Sequence, residues 1–369
     1  MDTFGNRTRA PVRRRNVQQY LLIMLMGFAL SIILTRLFLT LTGFPKVGGG
    51  EFHVAHVLWG GLLLFISGLL LLILENRWVY PLAAALSGIG VGLYIDEVGK
   101  FITQNNDYFS PLAAPIIYAF FLITVLIYLR MKRPPAQDAR VGLYHALDLL
   151  EEMLDHDLEA RERADLVAQL DRISQQAKRP DLVRLAQVLR DLLSSDTLYL
   201  APDMPGWPER LLKWARKQEK RWIGRRRLKF ALVSSLGVFG FVALLEPVLM
   251  FSAALLPSTL EEIAADLLAA GQVRGVVSLQ WYFVRLALDG IVGLILFIAS
   301  ISLLIGKDRR GCELGYFGLL FSLTTVNLLT FYFAQFGNIV LALVQFAFLL
   351  GVIHYRRWYL PRQAPTETE

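Results

Sequence analysis

The chain has little of what soluble enzymes use. Cys312 is its one cysteine in 369 residues, which excludes an internal disulfide and any zinc site built on several thiolates. Charged residues make up only 19% of the chain, against 55% hydrophobic. Soluble domains carry nearer to about 25% charged residues, so the composition excludes an ordinary soluble globule. The polar middle of the chain has no phosphate-cradling glycine loop and no kinase or nuclease signature. Basic residues are scarce in the segments read below as outer loops, where only Lys46, Lys100 and Arg274 occur.

What the chain does have is long apolar runs. A helix crossing the hydrocarbon core needs about 20 apolar residues. Runs of that kind lie at about 20–42, 54–74, 79–95, 111–131, 228–250, 276–305, 314–333 and 336–354. The fold expected is all-α: a polytopic membrane helix bundle of about eight spans in a four-plus-four layout. The first run is longer than a signal-peptide core and lacks a small-residue cleavage site, so it reads as a retained span.

The net charge of +7 sits beside these runs. Arg7 to Arg15, Arg77, Arg130 to Arg133, Lys307 to Arg310 and Arg356–Arg357 flank alternate crossings, which is the positive-inside pattern. It places both termini in the cytoplasm of a multi-pass cell-membrane protein and favours a bilayer, not nucleic acid, as partner. The layout is a basic arm (1–16), a first four-span unit (17–133), a cytoplasmic helical domain with a basic helix (134–227), a second four-span unit (228–357) and a tail (358–369).

In the middle, Leu143, Leu147, Leu150, Leu154 and Leu158 recur at helical steps, as do Leu182, Leu185, Leu189 and Leu193. That spacing predicts three or four amphipathic helices packed as a bundle, a domain suited to a protein partner. Residues 207–227 mix Trp207, Trp214 and Trp222 with arginines and lysines, the composition of an interfacial helix on anionic lipid. Ser258 and Glu261 match a capping box opening an outer amphipathic helix to about Ala270.

Two stretches carry ionisable residues where apolar ones are expected: Glu51-Phe-His53-Val-Ala-His56 and Asp96-Glu97-Val-Gly-Lys100. Ionisable side chains within spans are costly and mark function by default. At 1.5 Å of rise per residue, Arg36, His56 and Asp96 each lie roughly 24–27 Å above the inner ends of their spans. They therefore meet at one outward level. His53 and His56 share a face if their helix starts upstream of both. Gly88, Gly92, Asp96 and Lys100 form one stripe, which Gly60 and Gly61 are placed to meet.

Two histidines and a carboxylate suit zinc, iron or manganese. His53, His56 and Asp96 are thus the candidate ligands. Glu97, Glu51 and Asp107 are candidates for activating water, and Arg36 and Lys100 for binding an anionic headgroup. The structural alternative pairs Asp96 with Lys100 and Arg36 with Glu97. Glu246, Arg285 and Asp289 form a second polar set, read as an ion-pair lock between two spans. Asn327 and Gln345 read as interhelical hydrogen bonders. Both halves start inside, so a repeat would be parallel, but the second half has no counterpart to the His or Asp-Glu stretches.

The motifs HVAHVLWGG, GIGVGLYIDEVGKF and NNDYF resemble those of bacterial multi-pass membrane proteins of unassigned function; the resemblance covers mainly spans two to four. A more distant likeness is to intramembrane zinc hydrolases of the ceramidase and receptor-like hemolysin type, which gather His and Asp from several spans. Their late HxxxH is missing here, His354 being the one histidine in the last spans.

Three functions are compatible with the residues. One is a metal-dependent hydrolase of a lipid or lipid-linked substrate in the outer leaflet. Another is an ion-coupled transporter or permease, although the inner halves of spans one to four offer almost no polar groups for a pathway. The third is a sensor or scaffold whose cytoplasmic domain binds a partner.

Overall fold

A computed structural model of the protein describes residues 11–43, 55–108, 110–131, 139–154, 158–177, 179–195, 198–201, 224–254, 263, 265, 267, 268 and 276–360. The first ten residues of the basic arm, Glu51, His53, the segment 202–223, most of the outer helix expected after Ser258 and the tail from 361 lie outside the described residues.

The described chain is all-helical, with one isolated parallel bridge between Glu159 and Ala201 as its only extended pairing. It divides into two compact units, one comprising 1–97 and 123–209, the other 98–122 and 210–369. Among the described residues, seven helical stretches are long and apolar enough to cross a membrane, the last being the 52-residue run Asp308–Tyr359. Many large apolar side chains on these helices are exposed, Leu72, Phe65, Phe230 and Val277 among them. In water such surface would drive aggregation; in hydrocarbon it is solvated.

In the first unit, α1 (Val17–Thr42), α2 (His56–Ile73) and α3 (Val79–Asp96) pack closely. Glycine sets the approach. A Cβ on Gly60 would stand 2.7 Å from the Gly90 carbonyl, and one on Gly90 would stand 2.9 Å from the Gly60 carbonyl. Gly88 and Gly92 meet Met24 and Ser31 of α1 just as tightly. The stripe at Gly88 and Gly92 therefore faces α1, and Gly90, half a turn away, meets Gly60. Gly61 has nothing near it. This corrects the expectation that Gly60 and Gly61 receive the Gly88–Gly92 stripe. Ser67 Oγ adds a hydrogen bond to the Ala83 carbonyl at 2.8 Å.

The same unit holds α6 (Ala139–Leu154), α7 (Ala160–Gln176) and α8 (Pro180–Leu193), which share a core of Leu143, Leu149, Leu158, Leu166, Leu170, Leu189 and Leu193. Glu159 and Glu162 close a reciprocal capping box at the start of α7, satisfying backbone donors that the helix leaves open. Pro180 opens α8, where its missing N–H costs nothing.

The second unit begins with α4 (Val98–Ile102). The helix α5 (Ala113–Met131) starts in this unit and ends in the first. There follow α9 (Arg225–Ala254), α10 (Val276–Leu304) and α11 (Asp308–Phe321). After α11 a π-helical turn, Ser322–Val326, leads into α12 (Asn327–Ala334); a 3₁₀ turn, Gln335–Asn338, then precedes α13 (Ile339–Tyr359). Gln335 has φ 45° and ψ −133°, a conformation that L-residues avoid, and the chain reverses there. The arms lie side by side: Asn327 Nδ2 donates to Gln345 Oε1 at 2.8 Å, and Tyr355 Oη donates to Asp308 Oδ2 at 2.8 Å.

Candidate functional site

The most buried polar constellation is at the end of α3. Asp96 is its last residue, and Glu97 caps it with φ −92° and ψ 11°. Leaving the helix at Glu97 turns two consecutive carboxylates to different sides of one neighbour, His56, the first residue of α2. His56 Nε2 lies 3.1 Å from Asp96 Oδ2, and its Nδ1 lies 3.0 Å from Glu97 Oε1. From α1, Arg36 donates through Nε to Asp96 Oδ1 at 2.6 Å and through Nη2 to the Asp96 carbonyl at 3.1 Å. Asp96 is 0% exposed and Glu97 1%, while the His56 side chain keeps 22%.

The groups of this network meet one another: the Arg36 guanidinium bonds Asp96, and the two ring nitrogens of His56 face Asp96 and Glu97. Ionisable groups stay out of water at tolerable cost only when they are partnered in this way.

The arrangement places the expected site residues as follows. It brings together Arg36, His56, Asp96 and Glu97. Arg36 pairs with Asp96, whereas the structural alternative paired it with Glu97. The helix carrying His56 begins at that residue, with Ala55 before it extended (φ −71°, ψ 140°). The HxxH reading needed one helix through both histidines; the described helix starts at His56, and His53 lies outside the described residues. Asp96 and Glu97 sit on opposite nitrogens of one ring, so they cannot both join His56 on one ion while this geometry holds. Among the described residues, no group of three or more His, Cys, Asp or Glu is arranged to hold a metal ion.

Lys100 and Asp107 belong to the second unit. Lys100 Nζ stands 5.3 Å from the Tyr108 ring centroid, a cation–π contact. The Asp107 backbone N–H donates to Thr103 Oγ1 at 2.7 Å, closing the turn after α4.

The second polar set lies between α9 and α10. Arg285 Nη2 donates to Glu246 Oε2 at 2.6 Å, and its Nε is 3.3 Å from Asp289 Oδ2. Tyr282 Oη donates to Glu246 Oε1 at 2.6 Å. Tyr282 went unnoticed in the sequence, although it stands three residues before Arg285 on the same face. The Glu246 side chain is 46% exposed, so this set is open where the first is closed.

Sequence reasoning also missed the far ends of α1 and α3. Just before α1, the Arg14 guanidinium lies 3.9 Å from the centroid of Tyr80, at the start of α3, and the Tyr20 ring of α1 packs at a tilt against the same ring, centroids 5.8 Å apart. Beside them are charges of α6. Burial and then the neighbouring Asp148 push the Glu151 carboxyl above its ordinary range, while Arg77 and Arg14 pull it back. His145 of α6 also contacts the Arg13 carbonyl through Nε2 at 2.9 Å. The signal was present in the cluster of Arg13, Arg14, Tyr20, Arg77 and Tyr80, each next to the same end of a long apolar helix.

Fold and site thus define a class: an all-α chain with several helices able to cross a bilayer, in keeping with a multi-pass membrane protein, and with a buried ion-pair network at one end of three of them. Comparison with protein-family models, with curated proteins and with solved structures finds no match to this chain.

Proposed function

We propose that the chain is a multi-pass membrane protein of the sensor or scaffold class. In this reading the Arg36–Asp96–His56–Glu97 network is an outward-facing lock, and the helices α6–α8 are a cytoplasmic domain that responds to it and binds a protein partner. The observation that carries the reading is that α1 and α3 have both features at their ends. Their outer ends are tied by Arg36 and Asp96, and their inner ends by Arg14, Tyr20 and Tyr80 against α6. Between these points the backbones touch through Gly88 and Gly92, so the pair moves as one body.

Eight crossings follow when the run 308–359 is taken as two, since its arms reverse at Gln335. The positive-inside pattern then puts both termini and α6–α8 on the cytoplasmic side. A metal-dependent lipid hydrolase requires three ligands converging on one ion, and the geometry around His56 offers less support for that chemistry than for a lock.

Hydrogen exchange of the full-length protein in nanodiscs tests the proposal. Asp96→Asn, which unpairs the lock, is expected to raise exchange in residues 139–154 as well as at the ends of α2 and α3. A change confined to those outer ends would overturn the reading. Metal content separates the hydrolase: a stoichiometric ion in wild type that is lost in His56→Ala would favour it.

A further inference from the structure

In the second unit, three helix ends converge on one carboxylate. Asp308, at the start of α11, lies 2.6 Å from Lys229 Nζ and 3.6 Å from Arg225 Nη2 of α9, and it accepts the Tyr355 hydroxyl of α13 at 2.8 Å. The contact draws residues 225–229, 307–310 and 355–357 into one rim. These stretches hold nine bases: Arg225, Arg226, Arg227, Lys229, Lys307, Arg309, Arg310, Arg356 and Arg357. The nearby acids are Asp308, taken up by Lys229, Arg225 and Tyr355, and Glu313, which faces Arg309 at 3.2 Å. Arg226, Arg227 and Arg310 are exposed and have no acidic partner among the described residues. Trp358, 67% exposed, stands next to Arg357, whose guanidinium is 5.9 Å from its ring centroid.

We propose that this rim is a docking surface for anionic phospholipid headgroups, with Arg226, Arg310 and Arg357 making the contacts that distinguish an anionic from a zwitterionic lipid. Three features select lipid. The bases sit where long apolar helices end, so a bound headgroup keeps its acyl chains along exposed apolar faces such as those of Phe230, Leu304 and Ile353. Guanidinium forks match phosphate oxygens. A tryptophan beside them fits the headgroup level. Asp308 has a part as well: by pairing with Lys229 and Arg225, it aligns the three helix ends and leaves the other guanidiniums to the lipid. The sequence expectation of an anionic-lipid contact on 207–227 falls mostly on 207–223, outside the described residues; the rim proposed here is a separate surface shared by three helices. The inference rests on the membrane reading and is independent of the lock.

The test uses full-length protein in detergent, titrated with phosphatidylglycerol or phosphatidylcholine and read by native mass spectrometry and by thermal midpoint. Wild type is expected to retain several-fold more phosphatidylglycerol than phosphatidylcholine, with the difference shrinking at high salt. In Arg226→Gln/Arg310→Gln/Arg357→Gln, that preference falls to near parity while phosphatidylcholine retention stays unchanged. Because these side chains are exposed, the variant keeps its midpoint without lipid. Equal retention of the two lipids by wild type would overturn the proposal. So would full preference in the triple variant, or inorganic phosphate reproducing the stabilisation. Displacement of phosphatidylglycerol by a single-stranded oligonucleotide would assign the rim to nucleic acid instead.

Discussion

The helix pairs α2/α3 and α9/α10 cross by the same device and put it to different use. Gly60 stands against Gly90 as Gly240 stands against Gly293: a Cβ on Gly60 would meet the Gly90 carbonyl and Tyr94 N at 2.7 Å, and one on Gly240 would meet Phe297 N at 2.7 Å and the Gly293 carbonyl at 2.8 Å. Each pair carries its polar set at the same offset from the crossing. His56 is four residues before Gly60 and Asp96 six after Gly90; Asp289 is four before Gly293 and Glu246 six after Gly240. The correspondence runs crosswise in chain order, α2 with α10 and α3 with α9, which is why comparing the two halves span by span did not show it.

The difference lies in the third helix. In the first unit α1 packs on α3 through Gly88 and Gly92 and supplies Arg36 to Asp96, so the set is sealed. In the second, the cation Arg285 comes from α10 itself. There α11 contacts α10 through Gly311 and Gly318, at Leu303, Ala299 and Leu296, well along the helix from Arg285. One backbone crossing thus accommodates either a closed or an open polar set, and the neighbouring helix decides which.

The sharpest way to break the comparison is to remove the crossings. Gly90→Val and Gly293→Val both force side-chain atoms into a facing backbone, and each is expected to cost about 3 kcal/mol or more. The two should show similar drops in thermal midpoint in nanodiscs. A large loss in one and none in the other would dissolve the equivalence.

The next effect separates closed from open. Asp96→Asn leaves Arg36 buried without its anion and is expected to cost about 3–5 kcal/mol. Glu246→Gln, at a half-exposed site, is expected to cost about 1 kcal/mol or less. Equal losses in steric-trap unfolding would contradict the distinction.

The smallest effect concerns the junction of α1 and α3 with α6. The Glu151 carboxyl is raised in the folded protein by burial and Asp148. The folded state therefore binds that proton more tightly than the unfolded chain, and stability falls as pH rises through the shifted range. Glu151→Gln should raise the midpoint slightly at neutral pH, and the advantage should vanish as pH falls below the ordinary carboxylate range. A midpoint difference that does not change with pH would rule this out.

Much of this was legible in the sequence. Apolar length placed the helices to within a few residues, and a constant rise per residue put Arg36, His56 and Asp96 at one level, because both follow from helical periodicity. The rest depends on where periodicity stops. Asp96 and Glu97 reach opposite nitrogens of His56 only because the helix ends between them. The reversal at Gln335 needs a positive φ that no composition announces. Gly88 and Gly90 differ by about 200° around the helix, so which neighbour each one meets depends on a third helix that a two-helix argument does not include.

In the proposed reading, the Arg36–Asp96–His56–Glu97 network and the helices α6–α8 belong to one coupled body. Coupling between sites is reciprocal, so under this proposal a change at the α6 end of α1 and α3 is felt at the Arg36–Asp96 end. In full-length protein, the rate at which diethyl pyrocarbonate modifies His56, followed by peptide mass spectrometry, reads the lock directly. With Arg77→Ala at the α6 end, that rate is expected to change by about fivefold, within the usual range for coupled sites. An unchanged rate at His56, with exchange in residues 139–154 visibly altered by the same substitution, would contradict it.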